Sequence, residues 1–476
     1  MKTRNLLLFL LCIVGIVCCQ AKGPSKIYVS STTGSDKNSG KSQEAPLKTI
    51  ACAITKGNDI YLKCGDIFYE NIQLRGKRLS SYGTGVSPIL SGYKRIAKPK
   101  WKKAGKNIWK IRLSDNLFTG FDTKGSSLLN NVGCIHEYDK DLVHGRKVER
   151  KNELKSNWDF WQTSDYDSRS VNAHSFDELY LYSKTNPNQL KLEFSVGVIG
   201  AILSDATMEN IKIQGFGCHG IVSQSNTTIR NCRIDAVGGM TYIGTNKFVC
   251  YGNGIEYWVD VHPVENCLME RCHISRTYDA GMTIQGSATS KLTPKNILIQ
   301  NNLITECCQG WEDFLNNGKQ YVNCRLKNNV FANCGNTTGF GYPESRFVFC
   351  NVLGHNHDVR NGMIIEGNTF IGGNFYSASP SHGDYQSNIW KDNVFYTTRG
   401  HWILSYYTGK SNVIRLPEGK SNKKDLDSST EKMIRQYRQM TGDKTTKFEI
   451  KSEEEIQSLI KSHVSAFGQS QWPIEY

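Results

Sequence analysis

Short runs in which apolar and polar residues alternate, each interrupted by a polar pair, recur through the second half of the chain. The six copies are Ile229-Arg-Asn-Cys-Arg-Ile234, Met269-Glu-Arg-Cys-His-Ile274, Ile299-Gln-Asn-Asn-Leu-Ile304, Leu326-Lys-Asn-Asn-Val-Phe331, Ile365-Glu-Gly-Asn-Thr-Phe370 and Trp390-Lys-Asp-Asn-Val-Phe395. Their fourth positions, Cys232, Cys272, Asn302, Asn329, Asn368 and Asn393, are separated by 40, 30, 27, 39 and 25 residues. A period with a floor and variable extras is what stacked coils with loop insertions produce. Alternation that runs into a polar pair predicts strand, turn, strand. Asn tolerates left-handed backbone angles and can hydrogen-bond its own image one coil away, at ~4.8 Å. An internal Asn ladder, with Cys filling two rungs, is therefore expected.

These repeats resemble the right-handed parallel β-helix of secreted bacterial polysaccharide lyases and glycoside hydrolases, the pectate-lyase-like group, over roughly Ile202 to Leu404. The expected fold is all-β, a parallel solenoid over residues 22–404. Residues 22–100 form its cap and first coils, and residues 202–404 its regular coils. Ile27 to Ser31, Gly34 to Gly40 and Ala45 to Ile50 look like the opening segment of such proteins. Leu47, Ile50, Ala51 and Ile54 have helical spacing after Pro46, so a short N-terminal helix is expected there, and the resemblance implies that it plugs the open end. Residues 133–188, ending in the alternating Glu178-Leu-Tyr-Leu-Tyr-Ser183, resemble a β-rich insertion and reveal no role of their own. Residues 405–476 contain the capping boxes Ser428 to Glu431 and Ser452 to Glu455, each followed by helical spacing. Two short helices covering the far end of the solenoid are expected from them.

Beyond each polar pair a second strand opens with Gly and an apolar residue: Gly220 to Gln224, Gly254 to Trp258, Gly281 to Gln285 and Gly310 to Phe314. Stacked in register, these put Val222, Glu256, Thr283 and Glu312 in one outward column and Gln224, Trp258, Gln285 and Phe314 in the next. Insertions at 286–295, 316–320, 344–361 and 379–387 follow and would wall a groove. Glu256 and Glu312, two coils apart, should be separated by ~9.6 Å, at the upper edge of the ~6.5–9.5 Å used by inverting glycosidases. Asp279, at the turn into the intervening coil, and Asp313, beside Glu312 but in the column of Tyr257 and Ile284, complete the catalytic candidates. A bulge or a buried partner must account for Asp313. Trp258, Gln285, His219 and Tyr278 are the substrate-binding candidates, the indole for stacking on a sugar face. The His pair in Gly354-His-Asn-His-Asp358 fits no common zinc spacing, so no metal is assigned.

Three functions remain open at this point. Hydrolysis by paired carboxylates is favoured by the Glu256/Glu312 spacing. A lyase acting on a uronate would need a base and commonly Ca²⁺, and no calcium motif of the resembling families is matched. A β-helix that only binds glycan, as an adhesin does, needs neither. Lys and Arg exceed Asp and Glu by 14, and nine cations lie between Lys94 and Arg112 with no acid among them. That balance suits an acidic polysaccharide if the stretch borders the groove.

Met1 to Ala21 has a basic start, an apolar run and a small-x-small site, the anatomy of a secretory signal. A secreted or periplasmic monomer is expected, with no nucleic-acid partner and no transmembrane span. Cys18 and Cys19 also leave a lipid-anchored form open. Thirteen cysteines follow the signal without paired spacing, more in keeping with small buried side chains than with metal ligands.

Overall fold

The computed structural model describes residues 26–467, except 115–117, 119, 122–128, 164–175, 243–247, 287–290, 317–318, 336–349, 356–361, 380–387, 408–409 and 419–422. The signal segment lies outside the described residues, as does most of the two later insertions expected to wall the groove.

The chain winds into a right-handed parallel β-helix with three ten-stranded sheets running along it. Apolar residues repeat in register on the inside of the first sheet, where Met208, Ile229, Met269, Ile299, Leu326 and Ile365 stack in line and are fully buried. The third sheet contributes Phe331, Phe370 and Phe395 in the same way. Each coil thus covers the apolar face of its neighbours.

Asn302, Asn329, Asn368 and Asn393 are at most 1% exposed and form the expected ladder. In each step the backbone and side-chain nitrogens of one Asn donate to Oδ1 of the next, at 2.9–3.0 Å for Asn302 to Asn329 and 2.8–3.0 Å for Asn329 to Asn368. The left-handed backbone falls one residue earlier, at Asn231, Arg271, Asn301, Asn328, Gly367 and Asp392. The polar pair therefore divides the work that the sequence assigned to one Asn: the third position makes the bend and the fourth bonds along the axis. A second ladder, on the surface, joins Asn226, Asn266, Asn296 and Asn323 through amide contacts of 2.9–3.1 Å.

Both ends differ in detail from expectation. The N-terminal helix, α1, spans Ile50–Lys56 and is capped by the Thr49 hydroxyl, so Pro46 precedes it without opening it. Helix α2, Lys423–Thr441, begins before Ser428, which removes the capping role read into Ser428 to Glu431. Its buried Tyr437 packs edge-on to Phe448 at 5.2 Å and donates to Asp443 at 2.8 Å, closing the last coil. Helix α3, Glu453–Ala466, does have the Ser452/Glu455 box. It does not cover the end. Ile456 lies on Leu303, Val330, Ile371 and Tyr396, along the outer side of the third sheet. The strand Lys447–Ile450 extends that sheet beyond Val394–Thr397.

Between the strands Ile89–Ser91 and Ala201–Ser204 the chain leaves the solenoid to build two four-stranded antiparallel sheets. One joins Leu142–His144, Ile135–Glu137, Leu192–Ser195 and Tyr93–Arg95; the other joins Phe160–Gln162, Glu178–Tyr182, Ile108–Arg112 and Lys102–Gly105. Lys147, 2% exposed, anchors this unit by donating to Asn131 Oδ1 at 2.7 Å and to the Val132 carbonyl at 2.9 Å. Burial pushes its ammonium down to about 7, with the neighbouring Cys250 opposing the shift weakly. The unfolded lysine still binds its proton up to the ordinary value near 10.5. Lys147 therefore has no effect on stability above that pH, a growing penalty as pH falls from about 10.5 to about 7, and a constant one below. Between pH 9 and pH 7 the penalty grows by roughly 2 kcal/mol. The melting temperature of the wild type relative to Lys147→Met is expected to rise as the pH is raised from 7 to 9; parallel profiles would mean that the amine stays charged when folded.

Candidate active site

The second solenoid sheet carries the column deduced from the sequence. Val222, Glu256, Thr283 and Glu312 are successive partners across its parallel strands, and Trp258, Gln285 and Phe314 are partners in the adjacent column. The first column is not a solvated surface: Glu256 is 5% exposed, Thr283 0% and Glu312 6%. Trp258, Gln285 and Phe314 are half-buried, so two aromatic side chains flank one amide beside the carboxylates.

His219 sits at the turn before the strand Ile221–Ser223, and its Nδ1 lies 2.7 Å from Glu256 Oε2 in the next coil. The same nitrogen is 3.1 Å from the Asn253 amide nitrogen. A protonated Nδ1 satisfies the carboxylate and a bare one the amide; the shorter contact and the opposite charge favour the first. Burial alone would push the imidazole down, but the Cys218 sulfur and the Glu256 carboxylate outweigh it and hold His219 well above its ordinary value. Asn253 also donates from Nδ2 to Glu256 Oε2 at 3.3 Å and accepts from the Ala280 amide at 3.0 Å, which ties the carboxylate to the strand bearing Thr283.

Glu312 accepts from Gln285 Nε2 at 2.5 Å. Burial first, then the charges of Asp279, Cys350, Cys307 and Glu312, push the Cys308 thiol well up, which puts Asp279 and Glu312 around the same buried sulfur. Asp279 is half-buried at the turn into Ala280–Gly286, as expected. Between the two glutamates, Thr283 Oγ1 is buried and has no hydrogen-bond partner among the described residues. A buried hydroxyl of that kind costs about 1–3 kcal/mol unless something accepts from it or donates to it.

Two candidates lie elsewhere. Asp313 faces the core, 0% exposed in the column of Tyr257 and Ile284, and accepts from Tyr321 Oη at 2.5 Å. It keeps the strand's alternation because a phenol from inside the coil meets it; no bulge is needed. Tyr278, 1% exposed, packs with Tyr93, Cys134 and Cys250 under the appended sheets and is out of reach of a ligand on the column.

Other neighbours were not singled out in the sequence. Tyr251 lies edge-on to His219 at 5.4 Å and to the exposed Tyr242 at 5.3 Å, so an aromatic path runs from the surface to Glu256. Tyr251 belongs to the hairpin Met240–Thr241/Cys250–Tyr251, which Asn131 clamps by accepting from Thr241 N at 3.0 Å and donating to its carbonyl at 2.7 Å. Lys147 holds Asn131 in turn, and this chain of contacts ties the appended unit to the site. Asn253 and Tyr251 frame a Gly252-Asn-Gly254 turn, the only sequence signal that could have drawn attention to them. Lys319, buried beside Gly286, pairs with Asp260 at 3.8 Å at the far end of the same strands. Among the described residues no group of three or more His, Cys, Asp or Glu is arranged to hold a metal; His357 and Asp358 lie outside them. All thirteen described cysteines are free thiols.

No family model matches the chain, and no curated protein matches it. Among solved structures it is similar to XylC in complex with xylose, at 13% identity and a TM-score of 0.50, over 82% of this chain and 72% of that one. It is also similar to a GH136 lacto-N-biosidase from Eubacterium ramulus, at 15% identity and a TM-score of 0.41 over 78% of this chain, spanning only 56% of the other protein. An alginate lyase from Paenibacillus sp. aligns at 10% identity with a TM-score of 0.36, over 80% of this chain and 91% of that one. Likeness at such identities is a statement about architecture: the chain has the right-handed parallel β-helix fold.

Proposed function

We propose that this protein hydrolyses glycosidic bonds of a polysaccharide with Glu256 and Glu312 as its acid–base pair. One observation supports the reading above all others: two buried carboxylates share a column of one sheet, two coils apart, with a buried hydroxyl on the coil between them. Their backbone separation of ~9.6 Å leaves room for a water between carboxylate and sugar, as inversion requires. Glu256, paired at 2.7 Å with the basic His219, serves as the base that takes a proton from water. Glu312, hydrogen-bonded to a neutral amide, donates its proton to the leaving oxygen. Thr283 lies where it can orient that water, and Trp258 and Phe314 offer apolar faces to sugar rings. Asp279 acts near Glu312 through the charge it places there.

A second reading is favoured by the contact between Tyr251 and His219. A phenol beside a basic imidazole can pass a proton to and from a uronate, which would give β-elimination instead. The purified protein should be screened against neutral and acidic polysaccharides for new reducing ends, for absorbance of unsaturated products, and for the configuration of the first anomer released. Reducing ends without that absorbance, released with inversion, are expected. Unsaturated products would replace hydrolysis by elimination, and binding without any cleavage would reduce the protein to a glycan-binding rod.

A further inference from the structure

The cationic stretch from Lys94 to Arg112 lies in the appended unit, where Lys102–Gly105 and Ile108–Arg112 pair as an antiparallel hairpin, and no part of it belongs to the sheet that carries Glu256 and Glu312. Within it, Lys98, Lys100, Lys102, Lys110 and Arg112 line one cleft of about 420 Å³. Ile96 and Ile111 supply apolar lining, and Glu178 is the only acid there.

That acid is already engaged. It accepts from Lys110 Nζ at 2.9 Å through one oxygen and from Tyr180 Oη at 2.9 Å through the other. No acid pairs with Lys98, Lys100, Lys102 or Arg112 among the described residues, and all four are exposed. The arrangement works against folding. Lys102 and Lys110 are directly opposite each other across the two strands, and like charges in that position destabilise a sheet. Lys98 holds a left-handed backbone, φ 56°, that a side chain rarely adopts. An anion that enters the cleft relieves the repulsion among these cations.

We infer that this cleft is a second glycan site, a non-catalytic one, which binds an acidic polysaccharide through its carboxylates or sulfates. The cleft is concave, so a linear polyanion can lie in it where a flat bilayer cannot. Ile96 and Ile111 meet the apolar edge of sugar rings while the ammonium groups meet the charges. The inference shares with the proposed function only the premise that the ligand is a glycan; it does not need the protein to cleave one.

The test uses the full chain and its Glu256→Gln variant, with polygalacturonate, alginate and heparin as acidic probes and xylan as a neutral one. Binding of at least one acidic probe is expected to weaken about tenfold or more as NaCl rises from about 50 to about 500 mM, because exposed charges are screened. Replacing Lys98, Lys100 and Lys102 together by Glu should abolish that binding and leave the melting temperature nearly unchanged, since all three are exposed. Glu256→Gln should bind as the wild type does, whatever its activity. Equal binding by the triple variant, equal affinity for xylan, no binding of any acidic glycan, or tighter binding to duplex DNA or anionic vesicles would each overturn the inference. Loss of cleavage with retained binding would count against the proposed hydrolysis alone.

Discussion

Glu256→Gln and Glu312→Gln should each lower turnover on the cleaved glycan by ~10²–10⁴-fold, the usual contribution of a positioned general acid or base. Their signatures should differ. Glu312→Gln removes the proton donor, so substrates whose leaving group is acidic enough to depart unprotonated should regain much of their rate. Glu256→Gln removes the base, and no leaving group restores it. In a bell-shaped pH profile the first variant should lose the alkaline limb and the second the acid limb. Glu256→Gln should also lower the imidazole of His219, because only the Cys218 sulfur is then left to offset its burial. An NMR titration of His219 reads this without any substrate. Full activity in both variants, or the same leaving-group response in both, would falsify the assignment.

Asn329→Leu should destabilise the solenoid by about 3–5 kcal/mol. Asn329 is fully buried at the middle of its ladder, accepting from the backbone and side chain of Asn302 and donating to Ile299 O at 3.0 Å and to Asn368 Oδ1 at 3.0 Å. Leucine fills the space but leaves at least two donors and a carbonyl without partners, and each orphaned group costs ~1–3 kcal/mol. Asn323→Gly is the control, since that residue belongs to the exposed ladder, where water replaces the lost partner, and glycine keeps its left-handed backbone, φ 54°, without strain. Denaturant unfolding of the two variants should show a large drop in midpoint for Asn329→Leu and a change within about 1 kcal/mol for Asn323→Gly. Equal midpoints would mean that the inner ladder does not bear on stability.

The register of the site was legible because a parallel coil returns the same sequence position to the same column. Six copies of a polar pair, followed by strands that open with Gly, suffice to align Glu256 with Thr283 and Glu312. What covers that column was not legible. The hairpin bearing Tyr251 and the unit that clamps it through Asn131 dock across long stretches of sequence, and no local pattern encodes such docking. Hence Glu256 reads as exposed and is buried, and His219, read as a substrate-binding residue, proves to be its ion partner. Asp313 shows a different gap. Alternation puts it inside correctly, but the phenol that makes an inner Asp tolerable comes from Tyr321, whose direction depends on the turn between them. Tyr278 was misjudged for the reverse reason: a residue next to Asp279 in sequence points to the other side of the chain.

The excursion between the third and fourth turns also bears on how the molecule assembles. Ile72 and Ala201 are ladder neighbours although their numbers differ by 129, whereas Ala201 and Ile221 are 20 apart. Closing the longer loop costs roughly 1.5 kcal/mol more in chain entropy. Coils from Ala201 onward can therefore zip together by short steps, while the N-terminal turns join through one slow, non-local contact. On a ribosome those first turns emerge with their edge open and their partners still unmade. Arg75, Lys77 and Arg78 lie on or beside that edge, and clustered cations there oppose pairing with a second nascent chain until the matching strands arrive.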